Sequence, residues 1–401
     1  MPSITHVNIA SSEFKSNPFP FYARLRSEAP VYQTKLPDRR KVWLVTRYDD
    51  VLAVLKDDCF GKDKINARTP PWLPGMFKPL MRNMLDVDVP DHTRLRGLVQ
   101  KVFTARLIEN LRGRIQDLAD ELLNQAQVEG RMELIRDYAV PIPTTIIAEM
   151  LGVPARDRHK FHRWSSTAIS STSSRWGMLF ALPHRIAFLR YIRSLIKARR
   201  GNPEDDLVTA LVRAEEAGDQ LSEDELVAMI FLLLVAGHET TVNLIGNGTL
   251  TLLENPDQRH RLLDNPALVK SAVEELLRYN GPLETATERY ARTDTTVAGV
   301  TIPRGELVLA VLASANRDDR QFKDGDRLDL GREPNSHVAF GFGIHYCLGA
   351  ALARLEGQIA IATLLRRNPN LRLAIPSNSL RWRPGLVLRG LECLPVTFRS
   401  L

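Results

Sequence analysis

The run Phe340-Gly341-Phe342-Gly343-Ile344-His345-Tyr346-Cys347-Leu348-Gly349 sets one cysteine among glycines and aromatics, directly before an Ala/Leu-rich helical stretch. A thiol at a helix N-terminus meets free backbone N–H groups and the positive end of the helix dipole, which stabilise its anion. Cys347 is therefore expected to ionise readily and to hold a metal. Gly343 and Gly349 permit the backbone turns and close approach that a flat macrocycle against this loop requires, and Phe340 can pack on its face. Cys59 and Cys393 read as small buried hydrophobes. Zinc is the rival occupant, with His337, His345 and Cys347 as possible ligands and His238-Glu239 as the start of an H-E-x-x-H helix. The second histidine of that motif would fall at position 242, which is Val242.

A second constellation lies on the most hydrophobic predicted helix. Ser222-Glu223-Asp224-Glu225 forms a capping box, Leu226 to Val235 follow, and helical character runs to about Glu254. Unbroken, such a helix is about 48 Å long at roughly 1.5 Å per residue, so it must cross the core. In its middle stand Ala236-Gly237-His238-Glu239-Thr240-Thr241. Buried polar groups raise the free energy unless they bond something, so this interruption calls for a reason. A threonine hydroxyl bonding back to a carbonyl one turn earlier would bend the helix there.

The third element is Glu275-Leu276-Leu277-Arg278, on a helix expected from about Pro266 to Tyr279. Glu and Arg three residues apart face one another, and most such pairs are surface salt bridges of small worth.

Together these three elements resemble the cytochrome P-450 family of haem-thiolate monooxygenases. Every fixed position of F-x-x-G-x-(R/H)-x-C-x-G is matched, Ala236 to Thr240 match (A/G)-G-x-(D/E)-T, and Glu275 and Arg278 match E-x-x-R. The resemblance extends from Asp91-His92 to Leu391-Glu392-Cys393-Leu394-Pro395, with the first sixty residues the least diagnostic. It implies a mainly α fold with a minor β region, in which a long helix crosses the core over the haem. It implies haem b, iron protoporphyrin IX, with Cys347 as the iron ligand and Phe340, Gly341 and Gly349 against the ring. Glu239 and Thr240 become the acid–alcohol pair that delivers protons to bound dioxygen, with Ala236 and Gly237 small enough to admit the gas. His92 and Arg96, Arg289, and His345 match positions whose side chains hold the haem propionates, groups that need cationic or N–H partners. Glu275 and Arg278 anchor the cysteine loop, with Arg327 as third member. That segment departs from the family's P-x-R-F, since Gly325 and Leu328 stand where Pro and Phe are usual.

The implied activity is insertion of one oxygen atom of O2 into a C–H bond, by hydroxylation or epoxidation. By resemblance the substrate wall comprises Leu232, Val235, Leu283, Glu284, Thr285, Val387 and Leu388. Most are apolar, which favours a polyketide or macrolide, a terpenoid or steroid, or a fatty acid; Glu284 could hold a substrate amine or hydroxyl. The chain carries no flavin or ferredoxin segment, so electrons must come from a separate ferredoxin or flavodoxin with its reductase. Arg94 and Lys101 are candidates for steering an acidic partner. A peroxide-driven peroxygenase would not need Glu239-Thr240, and a haem sensor or carrier would have little use for a proton-delivering threonine.

The elements that must position these residues are legible in outline. A short helix around Phe21 to Ser27, strands Val31 to Thr34 and Val42 to Thr46, and a helix from Tyr48 to Lys56 suggest a small N-terminal sheet. Residues 63–90 carry five prolines and interrupted apolar residues, including Trp72, Leu73, Met76 and Phe77, which reads as an irregular binding loop. Residues 92–280 are mostly helical in pattern, apart from a Ser/Thr-dense connection, Ser165 to Ser174, in a second lid-like loop over 165–182. Strands return at Thr295 to Ile302 and Leu307 to Val311. No repeat or linker divides residues 1–401, which are read as one catalytic domain. Of 401 residues 44% are hydrophobic and 25% charged, a globular balance. The net charge of +7 is spread through mixed-sign segments, which argues against nucleic-acid binding. No N-terminal run approaches a membrane span or a signal peptide, and three cysteines without paired spacing suit a reducing compartment. A cytoplasmic monomer is expected.

Overall fold

The computed structural model describes residues 7–68, 80, 82–157, 160, 164, 175–216 and 221–398. Trp72, Leu73, Met76, Phe77 and the stretch 165–174 lie outside them. Among the described residues helices dominate, with three small sheets. Chain contacts divide the molecule into two compact units, one of Met1–Pro70, Arg112–Ile142 and Thr240–Leu401, the other of Pro71–Leu111 and Pro143–Glu239.

The first unit is built on a five-stranded sheet, ordered β1 (Val31–Lys35), β2 (Lys41–Val45), β8 (Leu307–Ala310), β5 (Arg289–Ala291), β3 (Phe60–Gly61). Only β2 and β8 pair in parallel, with Val42 opposite Leu307 and Val45 opposite Ala310. The two-residue side-chain period of a strand then builds a core on each face. Val42, Leu44, Leu307 and Leu309 join Tyr22 and Leu25 of the Phe19–Glu28 helix, while Val45, Val308 and Ala310 join Tyr48, Val51 and Leu55 of the Tyr48–Lys56 helix. A second sheet sets β10 (Pro395–Thr397) between β4 (Arg131–Glu133) and β9 (Arg372–Leu373). The strand expected over Thr295 to Ile302 is a hairpin, β6 (Thr295–Val297) and β7 (Val300–Ile302). Its turn residues Ala298 and Gly299 have φ of 48° and 78°, a tight turn that Ala-Gly does not announce in sequence.

The second unit is helical among its described residues. It contains the helices Asp91–Val102 and Arg175–Gly201 and the first half of Glu223–Glu254. Arg199, nearly buried, donates to the Gly152 carbonyl at 2.7 Å and pairs with Asp206. Gly152 has φ +68°, and a Cβ there would run into the Asp206 carboxylate. Phe188 and Phe231 pack with ring centroids 5.8 Å apart.

The helix Glu223–Glu254 begins and ends where the capping box and apolar run place it. The Glu225 amide donates to Ser222 Oγ at 3.2 Å, and the Ser222 amide donates to the Glu225 carboxylate at 2.9 Å. By length and apolar content this helix could cross a membrane, yet most of it is buried inside the protein. The helix expected from Pro266 divides into a 3₁₀ turn, Pro266–Leu268, and an α-helix, Val269–Asn280.

A buried ion pair fastens the N-terminus of the first unit. Lys15 Nζ donates to Glu284 Oε2 at 2.8 Å, Tyr22 OH donates to the other oxygen, and both members of the pair are almost fully buried. Burial pulls the Lys15 ammonium below its usual range while Glu284 opposes that shift. Lys15→Met leaves a buried carboxylate without its cation and is expected to lower stability by about 3 kcal/mol. Urea unfolding measures this, and a change within about 0.5 kcal/mol would class the pair with surface bridges.

Candidate active site

Cys347 lies exposed on a loop just before the Ala350–Arg367 helix. Its amide donates to the Phe340 carbonyl at 2.9 Å, closing the loop on itself. Gly341 and Gly343 have φ of 72° and 73°, and a Cβ at Gly343 would stand 3.0 Å from the Leu55 carbonyl. A larger residue at 343 would thus meet both backbone strain and a steric conflict. Gly349 has ordinary φ, and a Cβ there would meet nothing within 4 Å.

Anchors surround the loop. The Val338 amide donates to Asn316 Oδ1 at 2.8 Å. Arg354 lies over the Phe340 ring at 4.4 Å and donates to both Glu274 oxygens, at 2.7 and 2.8 Å. His337 Nε2 reaches the same carboxylate at 3.2 Å. Burial pushes the Glu274 carboxyl up, but Arg354 and His337 win and bring it down to about 2.

Beside it, Glu275 and Arg278 are fully buried and doubly bonded, at 2.7 and 2.8 Å. Arg278 also donates to the carbonyls of Asn316 and Gly325, both at 2.7 Å, and Glu275 accepts from the Asp329 amide and Asn335 Nδ2. The third charged member is Arg332, whose Nε lies 3.2 Å from both Glu275 oxygens. Arg327, expected in that place, has an exposed side chain and offers its carbonyl to Arg278 and Arg332. The irregular turn over 324–332 brings the later arginine back to Glu275, and no periodic pattern in sequence reveals that return.

On the long helix, Leu226 to Ile230 and Val242 to Leu252 are buried almost throughout. Between them Ala236 is exposed, and Val235, Gly237, Glu239 and Thr240 are partly exposed. The helix is thus more accessible at its centre than in the apolar stretches on either side. Leu232 is 8% exposed, and His238 turns inward, with Nδ1 2.8 Å from the Leu234 carbonyl.

His92 is buried on the Asp91–Val102 helix, where burial, then the Arg96 charge, lowers its pKa. Arg289 is buried on β5, donating to the carbonyls of Phe60 and Leu55 at 3.0 and 3.2 Å. His345 ends a 3₁₀ turn, Gly343–His345, two residues before the cysteine. Arg94, a candidate for partner steering, pairs with Glu225 at 2.6 Å and Asp91 at 2.9 Å, so its charge is already matched.

Five expected substrate residues divide into two groups. Leu283 bridges Leu388 through the backbone, and both of these and Val387 are partly exposed together. Glu284 and Thr285 are 1% exposed. The Glu284 carboxylate is held by Lys15 and Tyr22, and Thr285 Oγ1 donates to the Leu386 carbonyl at 3.3 Å. Both polar side chains are thus engaged by other parts of the chain, a pairing that sequence spacing did not resolve.

The donor set suits a porphyrin iron. Among the described residues no three His, Cys, Asp or Glu side chains converge as a protein-bound zinc requires. A porphyrin brings four nitrogens of its own, so a single protein ligand such as the exposed Cys347 thiol could hold its iron. Sequence reading missed Arg332, Glu274 and Arg354, and also Glu356, a fully buried carboxyl that burial pushes up to about 8 against the pull of Thr241. An acidic residue inside an apolar helix stretch was the available signal for Glu356.

A cytochrome P450 family profile matches residues 186–369. The chain is 46% identical to cytochrome P450 107B1 of Saccharopolyspora erythraea, over 94% of this chain and 93% of that protein. It is 43% identical to the cytochrome P450 monooxygenase PikC of Streptomyces venezuelae, over 99% and 95%. The crystal structure of a myxobacterial cytochrome P450, CYP267B1, in complex with myristic acid is similar at a TM-score of 0.91 and 44% identity, covering 97% and 98% of the two chains. The chain belongs to the cytochrome P450 family, whose members carry haem. It is a P450 monooxygenase.

Glu275→Ala strands Arg278 and Arg332 and is expected to destabilise the protein by about 4 kcal/mol, read from denaturant unfolding. The lowered Glu274 pKa predicts an acid effect of definite sign. Its contribution is complete above the ordinary carboxyl value of 4.5 and disappears as pH falls towards about 2. Stability followed across that window should fall more steeply in the wild type than in Glu274→Gln; equal slopes would refute the assignment.

Proposed function

We propose that this monooxygenase holds haem b and hydroxylates or epoxidises a lipophilic small molecule, with electrons from a separate ferredoxin or flavodoxin and its reductase. The observation that carries this reading is the accessible patch Val235 to Thr240 at the centre of an otherwise buried helix. Cys347 would hold the iron; Arg289, His345, His92 and Arg96 would serve the propionates, and Phe340, Gly341 and Gly349 the ring. When bound, the haem supplies electron transfer and dioxygen activation, which thiolate ligation favours.

The chain's own residues do the rest. Glu239 and Thr240, partly exposed on successive positions, hold and pass protons. Ala236 and Gly237 leave room where a larger side chain would exclude dioxygen. By resemblance, Leu232, Val235, Leu283, Val387 and Leu388 would each offer an apolar side chain to the guest. Glu284, paired with Lys15, takes no part in substrate recognition. A polyketide or macrolide, a terpenoid or steroid, or a fatty acyl chain fits this chemistry, and the myristic acid on the structural relative supports an extended lipophilic guest. Lys101, exposed on the same helix as Arg94, is a candidate for steering an acidic ferredoxin. Near-complete coverage of single-chain P450 relatives supports reading residues 1–401 as one catalytic domain.

The acid–alcohol pair favours dioxygen over a peroxide-only reaction. Two measurements test the reading. The reduced, carbon-monoxide-bound protein should show the strongly red-shifted Soret band of thiolate ligation, and Cys347→Ala should lose it. With myristic acid as probe, Thr240→Ala should lower product per electron by about tenfold while the band is retained. Unchanged coupling would remove Thr240 from the proton path.

A further inference from the structure

The second half of the long helix carries a polar line that core packing does not require. Thr240, Asn243, Asn247, Thr251 and Glu254 succeed one another in steps of three or four residues and therefore share one face. Other faces bury Val242, Leu244, Ile245, Leu250 and Leu252. Asn243, Asn247 and Thr251 are each at most 2% exposed.

Part of this polarity is matched within the protein. Asn247 Nδ2 donates to the Arg389 carbonyl at 2.9 Å, Thr251 Oγ1 to the Asn247 carbonyl at 2.8 Å, and Asn280 Nδ2 to Thr251 Oγ1 at 3.0 Å. A Cβ at neighbouring Gly390 would stand 2.0 Å from Asn243 Oδ1, so the line continues against the same segment. Two acceptors are not matched. Asn247 Oδ1 and Asn280 Oδ1 are both buried and receive no hydrogen bond from protein. Buried acceptors of this kind are the usual partners of internal water.

The line opens at its C-terminal end. A cleft of about 630 Å³ is lined by Thr251, Glu254, Asn255, Asn280, Ser377 and Arg389, among others. None of the residues assigned above to haem or substrate lines it. Burial raises the Glu254 carboxyl, while Ser377 and the Arg389 charge pull it back; Arg317, Asp326 and Tyr279 also face the cleft.

We propose that this polar face is a water inlet carrying protons from the cleft at Glu254 to Thr240, with Asn247 Oδ1 and Asn280 Oδ1 each holding a water of the file. The inlet rests on the reading of Thr240 as a proton donor. Each transfer balances: a proton taken from solvent at the Glu254 carboxyl displaces one proton per water along the file, and one appears at the Thr240 hydroxyl. The amides position the waters and do not themselves change protonation.

The test uses holoenzyme, a surrogate ferredoxin and reductase, and myristic acid as probe. Glu254→Gln alters the mouth, Asn247→Leu removes a water site, and Thr249→Val, on the opposite face of the same helix, is the control. A high-resolution crystal structure should show ordered water within hydrogen-bond distance of both acceptors. Glu254→Gln and Asn247→Leu should lower product per electron severalfold and enlarge the solvent deuterium isotope effect, with the carbon-monoxide band retained and Thr249→Val unchanged. Dry acceptors, or wild-type coupling and isotope effect in Glu254→Gln, would overturn the inlet, and that variant decides alone where Asn247→Leu does not fold. Loss of coupling in Thr240→Ala beside wild-type behaviour in the inlet variants overturns the inlet only. Wild-type coupling in Thr240→Ala overturns the reading beneath it as well.

Discussion

The fully buried pair of Glu275 and Arg278 is the constraint on which the cysteine loop depends. A buried ion pair is not a strong source of stability, because desolvating two charges offsets much of their attraction. Its value here lies in what each charge must gather once it is inside. Arg278 has five N–H donors in a rigid fork, and it collects the carbonyls of Asn316, Gly325 and Arg327. Glu275 collects Arg332, Asn335 and the Asp329 amide. An irregular stretch with little regular secondary structure is thereby held at many points. From it the chain continues to Val338, bonded to Asn316, and then to the loop that presents Cys347.

A second layer of control acts on the loop directly. Arg354 lies seven residues beyond the cysteine, on the helix that the loop begins, and it reaches back both to Glu274 and to the Phe340 ring. Adjacent glutamates on one helix thus serve different tasks: Glu275 orders the approach to the loop and Glu274 clamps its far side. The loop's glycines differ as well. Gly341 and Gly343 take a left-handed backbone, whereas Gly349 has ordinary φ and would admit a Cβ without contact.

The long helix solves the complementary problem of placing polar chemistry inside an apolar element. Its two ends are buried by large aliphatic side chains, and Ala236 and Gly237 interrupt that cover with small ones. Glu239 and Thr240 are partly exposed at that interruption. Beyond Thr240 the polar line continues to the surface, so the helix is apolar as support and polar along one strip.

Much of this was legible in the residues. The capping box placed the start of the long helix at Glu223, helical character placed its end at Glu254, and the strand-like runs Val31 to Thr34 and Val42 to Thr46 fall within a residue of β1 and β2. Glu275-Arg278 is a local pattern, readable because the pair lies three residues apart on one helix. Partners brought from afar were not readable. β4 pairs with a strand more than 250 residues later, Arg332 replaces Arg327 at Glu275, and Lys15 claims Glu284 across 269 residues. Sequence by itself determined which side chains can ligate, donate or ionise, since those capacities belong to each residue and its immediate backbone. Tertiary structure decided which of them face a guest and which are engaged by another part of the fold, because burial and pairing are properties of distances that no spacing along the chain encodes.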